Sequence, residues 1–230
     1  MVKPVIILNL KSYKEVLGEN GLKALTIIED VAKEYPQIIF VVAPNLACLS
    51  EFARRKKRVK VYAQHADPIP VGAYTGHIPV EALKILKADG TLINHSERQV
   101  SLDTISRVIS EAQRLEIDVV ACGGSIDEIS KIAALRPKYV AFEPPELIGT
   151  GISVSKARPE DLKKSVKVIL ERSGNMSIPI CGAGISSGED VRLALEYGAN
   201  GILVASAFVK ATDKKKKLIE FASAAESAVY

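Results

Sequence analysis

Three short stretches carry side chains that could do chemistry in concert: Asn9-Leu10-Lys11, Asn94-His95-Ser96-Glu97, and Glu143, which ends the apolar run YVAF and is followed by Pro144 and Pro145. A carboxylate at the end of a buried strand is costly unless it is paired, solvated or protonated. Glu143 is therefore either an adjustable acid/base or a salt-bridged structural residue. On an extended chain Asn9 and Lys11, two positions apart, point the same way, and an amide and an ammonium side by side can donate to a developing oxyanion. The continuation Ser96-Glu97-Arg98-Gln99 predicts that His95 sits at a helix N-terminus, whose dipole disfavours imidazolium. Taken alone, Lys11 reads as a surface cation and His95 as a structural imidazole. They bear on chemistry only if the fold makes them meet.

Eight short β-branched runs supply a means: PVIILNL, QIIFVVAP, VKVYAQ, GTLINHS, IDVVACG, KYVAFEP, IPICGAG and NGILVASA. They are continuous rather than alternating, which suits parallel strands buried on both faces. Amphipathic segments such as Gly21 to Tyr35, Leu102 to Leu115 and Glu189 to Tyr197 lie between them. Eight strand–helix units of roughly 28 residues predict a closed (β/α)8 TIM barrel more readily than an open doubly wound α/β sheet. No linker or composition shift divides the chain, so one domain over residues 1–230 is expected. In such a barrel all strand C-termini face one mouth, and Asn9, Lys11, His95 and Glu143 each fall at a strand end.

The last two strands end in CGAGISSGEDV and VASA, turns whose backbone N–H groups can hold an anion where barrels bind phosphate. Gly182 and Gly184 are expected to let backbone approach such a ligand closely. A net charge of +4 over 230 residues, with 5% aromatic residues, argues against a nucleic-acid binder. The clusters Arg54 to Arg58 and Lys214 to Lys217 read as solvated helix faces, the second behind an Asp213 cap. Three widely spaced cysteines, 48, 122 and 181, suggest neither a disulfide framework nor zinc, and point to a cytoplasmic protein. The apolar run before Asn9 is too short for a signal or membrane segment. No metal or organic cofactor is expected, since His65, His77 and His95 have no ligand spacing.

With N-x-K at the first strand, NHSE at the fourth, EP followed by IGTG at the sixth and paired glycine turns at the end, the sequence resembles the triosephosphate isomerase family. The likeness spans the whole chain. It includes YAQHADPIPVGAYTGHIP, similar to the family's third-strand segment and protruding interface loop around Thr75. The short chain and CGAGISSGEDV resemble the compact archaeal branch. The resemblance implies interconversion of dihydroxyacetone phosphate and D-glyceraldehyde 3-phosphate through an enediol(ate), a step of glycolysis and gluconeogenesis. A glutamate base beside a neutral histidine is this family's known pairing; here Glu143 and His95 would fill it, with Lys11 and Asn9 as further donors. It further implies that Glu97 anchors Lys11 or a neighbour as a salt-bridge partner and that Ser96 holds Glu143 aside in the empty site.

By the same resemblance Pro144 to Gly151 would be a lid, contacting substrate through Ile148 and Gly149. The phosphate would rest on backbone N–H groups of Gly149, Gly184, Ala205 and Ser206, with Lys11 adding charge. The chain departs from the larger branch at Cys181-Gly-Ala-Gly184, at Val204-Ala-Ser-Ala207 and at Glu146, where a Trp is common. Thr75 would insert into a neighbouring subunit beside Asn9 and Lys11, giving at least a homodimer. A dimer of dimers is compatible with shortened helices between the fourth and fifth strands. Two other readings stay open from the residues: a different sugar-phosphate isomerase, aldolase or synthase on the same barrel, and a non-catalytic phosphate-binding scaffold. An aldolase would require a Schiff-base lysine, and none ends the sixth strand.

Overall fold

Continuous apolar runs at regular spacing have one economical arrangement, a sheet closed on itself and wrapped by helices. The computed structural model, which describes residues 3–147 and 153–228, shows it. The strands are β1 Val5–Asn9, β2 Ile39–Ala43, β3 Lys60–Ala63, β4 Gly90–Ile93, β5 Asp118–Gly123, β6 Tyr139–Phe142, β7 Ile178–Cys181 and β8 Gly201–Val204. All pair in parallel in chain order, and β1 closes the barrel by pairing with both β2 (Val5 to Ile39) and β8 (Val5 to Gly201). The period-2 alternation splits the strand residues between two apolar layers. Val5, Ile7, Val41, Tyr62, Val120, Tyr139, Ile180 and Leu203 fill the barrel. Ile6, Leu8, Val42, Val61, Ile93, Val140 and Ile202 face outward into the larger layer shared with the helices.

Those helices are α1 Gly18–Glu34, α2 Leu46–Arg55, α3 Val80–Ile85, α4 Leu102–Arg114, α5 Ile126–Ala134, α6 Val154–Ala157, α7 Pro159–Ser173, α8 Gly188–Glu196, α9 Ser206–Val209 and α10 Lys214–Ser227. Side-chain caps at Asn45, Ser101, Ser125 and Ser187 begin α2, α4, α5 and α8, and Asp213 caps α10 through the Lys216 N–H at 2.9 Å, as its sequence suggested. The shortened helix lies one unit earlier than expected. The β4–β5 connection carries the 13-residue α4, whereas α3, between β3 and β4, has six residues.

Lys214 to Lys217 begin α10, but of the first basic cluster only Arg54 and Arg55 are helical, and Lys56 to Arg58 lie in the connection after α2. Arg54 and Arg55 end α2, where cations complement the carbonyl end. The following backbone N–H groups of Lys57, Arg58 and Val59 wrap the Glu29 carboxylate at 2.6 to 3.3 Å. At the N-terminal end of the barrel, Asp118 accepts from Lys60 (2.6 Å), Tyr62 (2.6 Å) and Lys138 (2.8 Å). This network closes the end opposite the strand C-termini.

Candidate active site

Asn9 is the last residue of β1, but Lys11 lies beyond the strand with φ of +49°. The side chains therefore do not converge by strand alternation, as the sequence implied. Instead the Asn9 Oδ1 accepts the Lys11 backbone N–H at 3.0 Å, closing a turn in the left-handed region that a lysine seldom occupies. Backbone held this way costs on the order of 1–3 kcal/mol and is typical of functional sites. The turn delivers the Lys11 ammonium to Glu97, with Nζ to Oε1 at 2.7 Å, the anchoring expected from the resemblance.

His95 follows β4 after Asn94, which also has a left-handed φ of +60°. No helix begins there: residues 96–98 form a turn closed by Arg98 N–H to His95 O at 2.7 Å, and α4 starts only at Leu102. The expected helix dipole is thus replaced by a single oriented donor, the Glu97 backbone N–H, which reaches His95 Nδ1 at 3.2 Å. A ring nitrogen accepting that bond carries no proton, so in the neutral ring the proton belongs to Nε2. Burial, reinforced by the Lys11 charge and opposed by Glu97, lowers the imidazole from its ordinary 6.5 to about 4. The ring is a neutral donor at physiological pH.

Glu143 follows β6 directly, its N–H held by Gly123 O at 2.9 Å. It is 2% exposed, and neither carboxylate oxygen has a hydrogen-bond partner among the described residues, Ser96 included. Burial raises the carboxyl from 4.5 to about 8; the Cys122 thiol, close by but outside hydrogen-bond geometry, and the Lys11 charge pull it down without offsetting that cost. His95 Nε2 and Glu143 Oε2 stand 3.9 Å apart, facing each other beyond bonding distance. Of the two options read from sequence, the geometry favours the adjustable carboxyl: among the described residues no lysine or arginine forms a salt bridge to Glu143.

Two supports were not visible in sequence. A Cβ at Gly182 would lie 2.4 Å from Glu143 Cγ, so this glycine makes room for the carboxylate rather than chiefly for an anion. On α5, Glu128 accepts from Asn94 Nδ2 at 2.7 Å and from the Gly124 N–H at 2.8 Å, while Asn94 also donates to Cys122 O at 2.9 Å. One side chain thus clamps the end of β4, which carries His95, to the end of β5, which seats Glu143. The burial of Cys122 and Cys181 fits their reading as core residues, and it pushes the Cys181 thiol up to about 12.

Two cavities of about 380 Å³ each share Lys11 and His95. One is bounded by Gly184, Ala205 and Ser206, together with Tyr13 and Lys210; the other by Asn9, Gln64, His65 and Glu97. Gly184 has a left-handed φ of +71°, and Ser206 opens α9. Ile148 and Gly149 lie outside the described residues. Thr75 is remote from this mouth in sequence and sits in residues 70–77, all exposed. A larger cavity, about 870 Å³, runs beside α1 and the basic end of α2, away from these groups. Among the described residues no cluster of three or more His, Cys, Asp or Glu is placed to hold a metal ion, and no helix is long and apolar enough to cross a membrane.

A carboxyl poised near neutrality, an imidazole donating through Nε2 and an anchored ammonium at one rim can transfer a proton next to a carbonyl. Comparison with known proteins gives the same direction. Residues 4–225 match the family described as "Triosephosphate isomerase". The triosephosphate isomerase of Methanothermus fervidus is 42% identical over 220 residues, covering 96% of this chain and 98% of that protein. That of Methanocaldococcus jannaschii is 43% identical over 216 residues, covering 94% and 97%, and that of Caldivirga maquilingensis 42% over 222 residues, covering 96% and 97%.

Proposed function

The chain belongs to the triosephosphate isomerase family, and from that premise we propose that Glu143, His95, Lys11 and Asn9 carry its reaction. The activity is that of the family, an intramolecular aldose–ketose isomerisation between dihydroxyacetone phosphate and D-glyceraldehyde 3-phosphate. Ionised Glu143 takes a proton from the carbon next to the carbonyl. The C–H electron pair becomes the C=C bond of an enediolate, whose negative oxygen accepts from His95 Nε2–H and the Lys11 ammonium. A proton passes from the hydroxyl on the first carbon to that negative oxygen, with His95 Nε2–H between them, and the carboxylic acid returns its proton to the neighbouring carbon as the first carbon's oxygen becomes the new carbonyl. A donor of imidazole basicity stabilises the oxyanion without an excess proton, and a base with its pKa near working pH combines availability with strength.

The observation that carries this reading is the buried Glu143 carboxyl, unpartnered among the described residues, 3.9 Å from a neutral imidazole. We place the phosphate on Gly184, Ala205 and Ser206, with Ile148 and Gly149 contacting the substrate. The family match over 4–225 supports one catalytic domain. The exposed Val71 and Tyr74 flanking Thr75 support a homodimer in which that loop enters the partner's Asn9–Glu97 cavity. Exposed Ile85 and Leu102, on α3 and α4, offer a surface for a dimer of dimers. Three free thiols agree with a cytoplasmic setting, and neither nucleic acid nor membrane is a proposed partner. The test is turnover of dihydroxyacetone phosphate in deuterated water. Glyceraldehyde 3-phosphate carrying solvent deuterium at C2, with rates collapsing in Glu143→Ala and His95→Ala, is expected. Undiminished turnover by folded Glu143→Ala would remove the base.

A further inference from the structure

Phosphate esters carry close to two negative charges at neutral pH, and a cavity that binds one needs cationic charge not already committed elsewhere. Lys11 is committed in part, since its ammonium is 2.7 Å from the Glu97 carboxylate. Glu143 stands on the same rim and adds negative charge whenever it ionises. The cavity bounded by Gly184, Ala205 and Ser206 has a second lysine in its wall, Lys210. No carboxylate among the described residues pairs with it; its ammonium instead lies 5.2 Å from the centroid of the Tyr13 ring, another wall of that cavity. A cation over an aromatic face is attracted without using its N–H donors, so those donors stay available.

The backbone explains the placement. Lys210 caps the C-terminal end of α9, its N–H donating to Ser206 O at 2.9 Å, one turn from the residue that opens the helix. Helical side chains lean toward the helix N-terminus, which directs the Lys210 stem back over the turn formed by Ala205 and Ser206. Tyr13, half-buried against the core at the far side of the β1 loop, gives the ammonium a fixed seat.

We propose that Lys210, seated on Tyr13, is a substrate-binding residue that supplies the uncommitted positive charge for the phosphate group. It discriminates phosphorylated trioses from their neutral counterparts and takes no part in proton transfer. This inference rests on the isomerase reading of the site.

The test compares kcat/KM for glyceraldehyde 3-phosphate with kcat/KM for glyceraldehyde, which lacks the phosphate, in the full-length wild type, Lys210→Met, Lys210→Arg and Tyr13→Leu. In Lys210→Met the ratio is expected to fall about tenfold, equivalent to about 1.4 kcal/mol. The Ki of inorganic phosphate should rise by the same factor, and the dependence of kcat/KM on ionic strength should weaken. Lys210→Arg should recover most of the ratio, and Tyr13→Leu should lose about threefold. A ratio and phosphate Ki equal to the wild type's in Lys210→Met would overturn the proposal, as would an equal loss on both substrates, which marks a structural role. If Lys210→Met does not fold, Lys210→Gln carries the same comparison. A wild type inactive on triose phosphates would instead overturn the isomerase reading, so the two failures are separable.

Discussion

Glu143 is expected to limit the stability of the protein it serves, and Glu143→Gln measures by how much. The carboxyl is 2% exposed, has no hydrogen-bond partner among the described residues, and is raised from 4.5 to about 8 by burial. Because the folded protein holds this proton more tightly than the unfolded chain, it binds more protons between those two values. Stability is therefore fully present below pH 4.5 and declines as pH rises through 8. The shift corresponds to about 5 kcal/mol at about 1.4 kcal/mol per unit, and relaxation of the site reduces what is realised to about 3–5 kcal/mol. Glutamine keeps the shape and cannot ionise, so the variant should match the wild type near pH 5 and exceed it at pH 9. At about 2–4 °C per kcal/mol for a chain of this size, the gain in Tm is about 6–20 °C. Thermal unfolding followed by circular dichroism at both pH values, at one protein concentration because assembly shifts Tm, decides it. A gain of the same size at pH 5, or none at pH 9, would refute the burial argument.

His95 acts in the opposite pH direction. Its value is lowered from 6.5 to about 4, so its contribution is present above 6.5 and lost as pH falls toward 4; urea unfolding should show His95→Gln gaining up to about 3 kcal/mol on the wild type across that window. Gly182→Ala places a Cβ where the gap to Glu143 Cγ is 2.4 Å. It should cost about 1–3 kcal/mol by overcrowding and, by displacing the base, lower kcat about 100-fold with KM little changed, a split that steady-state kinetics reads directly. Asp118→Asn removes the carboxylate whose pKa, against the cost of burial, is held low by Lys138, Lys60 and Tyr62. Denaturant titration should show a loss of about 1–2 kcal/mol, tempered by the half-exposed lysines, while kcat stays within twofold because the network closes the far end of the barrel.

The features that follow from one-dimensional periodicity were legible in the sequence: all eight strands, their closure into a barrel, and the assignment of Asn9, His95 and Glu143 to strand ends. Local backbone departures were not. Lys11 reaches the mouth through a left-handed turn held by Asn9, and His95 is kept neutral by burial and the Lys11 charge, with one Glu97 N–H in place of a helix fixing its tautomer, because turn geometry depends on φ values that residue type leaves open. The Glu128 clamp joins residues 34 apart and leaves no spacing signal. Gly182 was recognised as a close-approach glycine, but what approaches is Glu143, 39 positions earlier in the chain. The Asn at 94 in NHSE, a residue type tolerant of left-handed backbone, was a usable hint that a turn and not a helix follows β4.

Turnover of dihydroxyacetone phosphate by Glu143→Gln at pH 9, where the wild-type carboxyl is mostly ionised, tests the assignment of the base most directly. With the fold verified by circular dichroism, the account predicts a loss of at least about 1,000-fold in kcat with phosphate still bound. Retention of a tenth or more of the wild-type rate would contradict it.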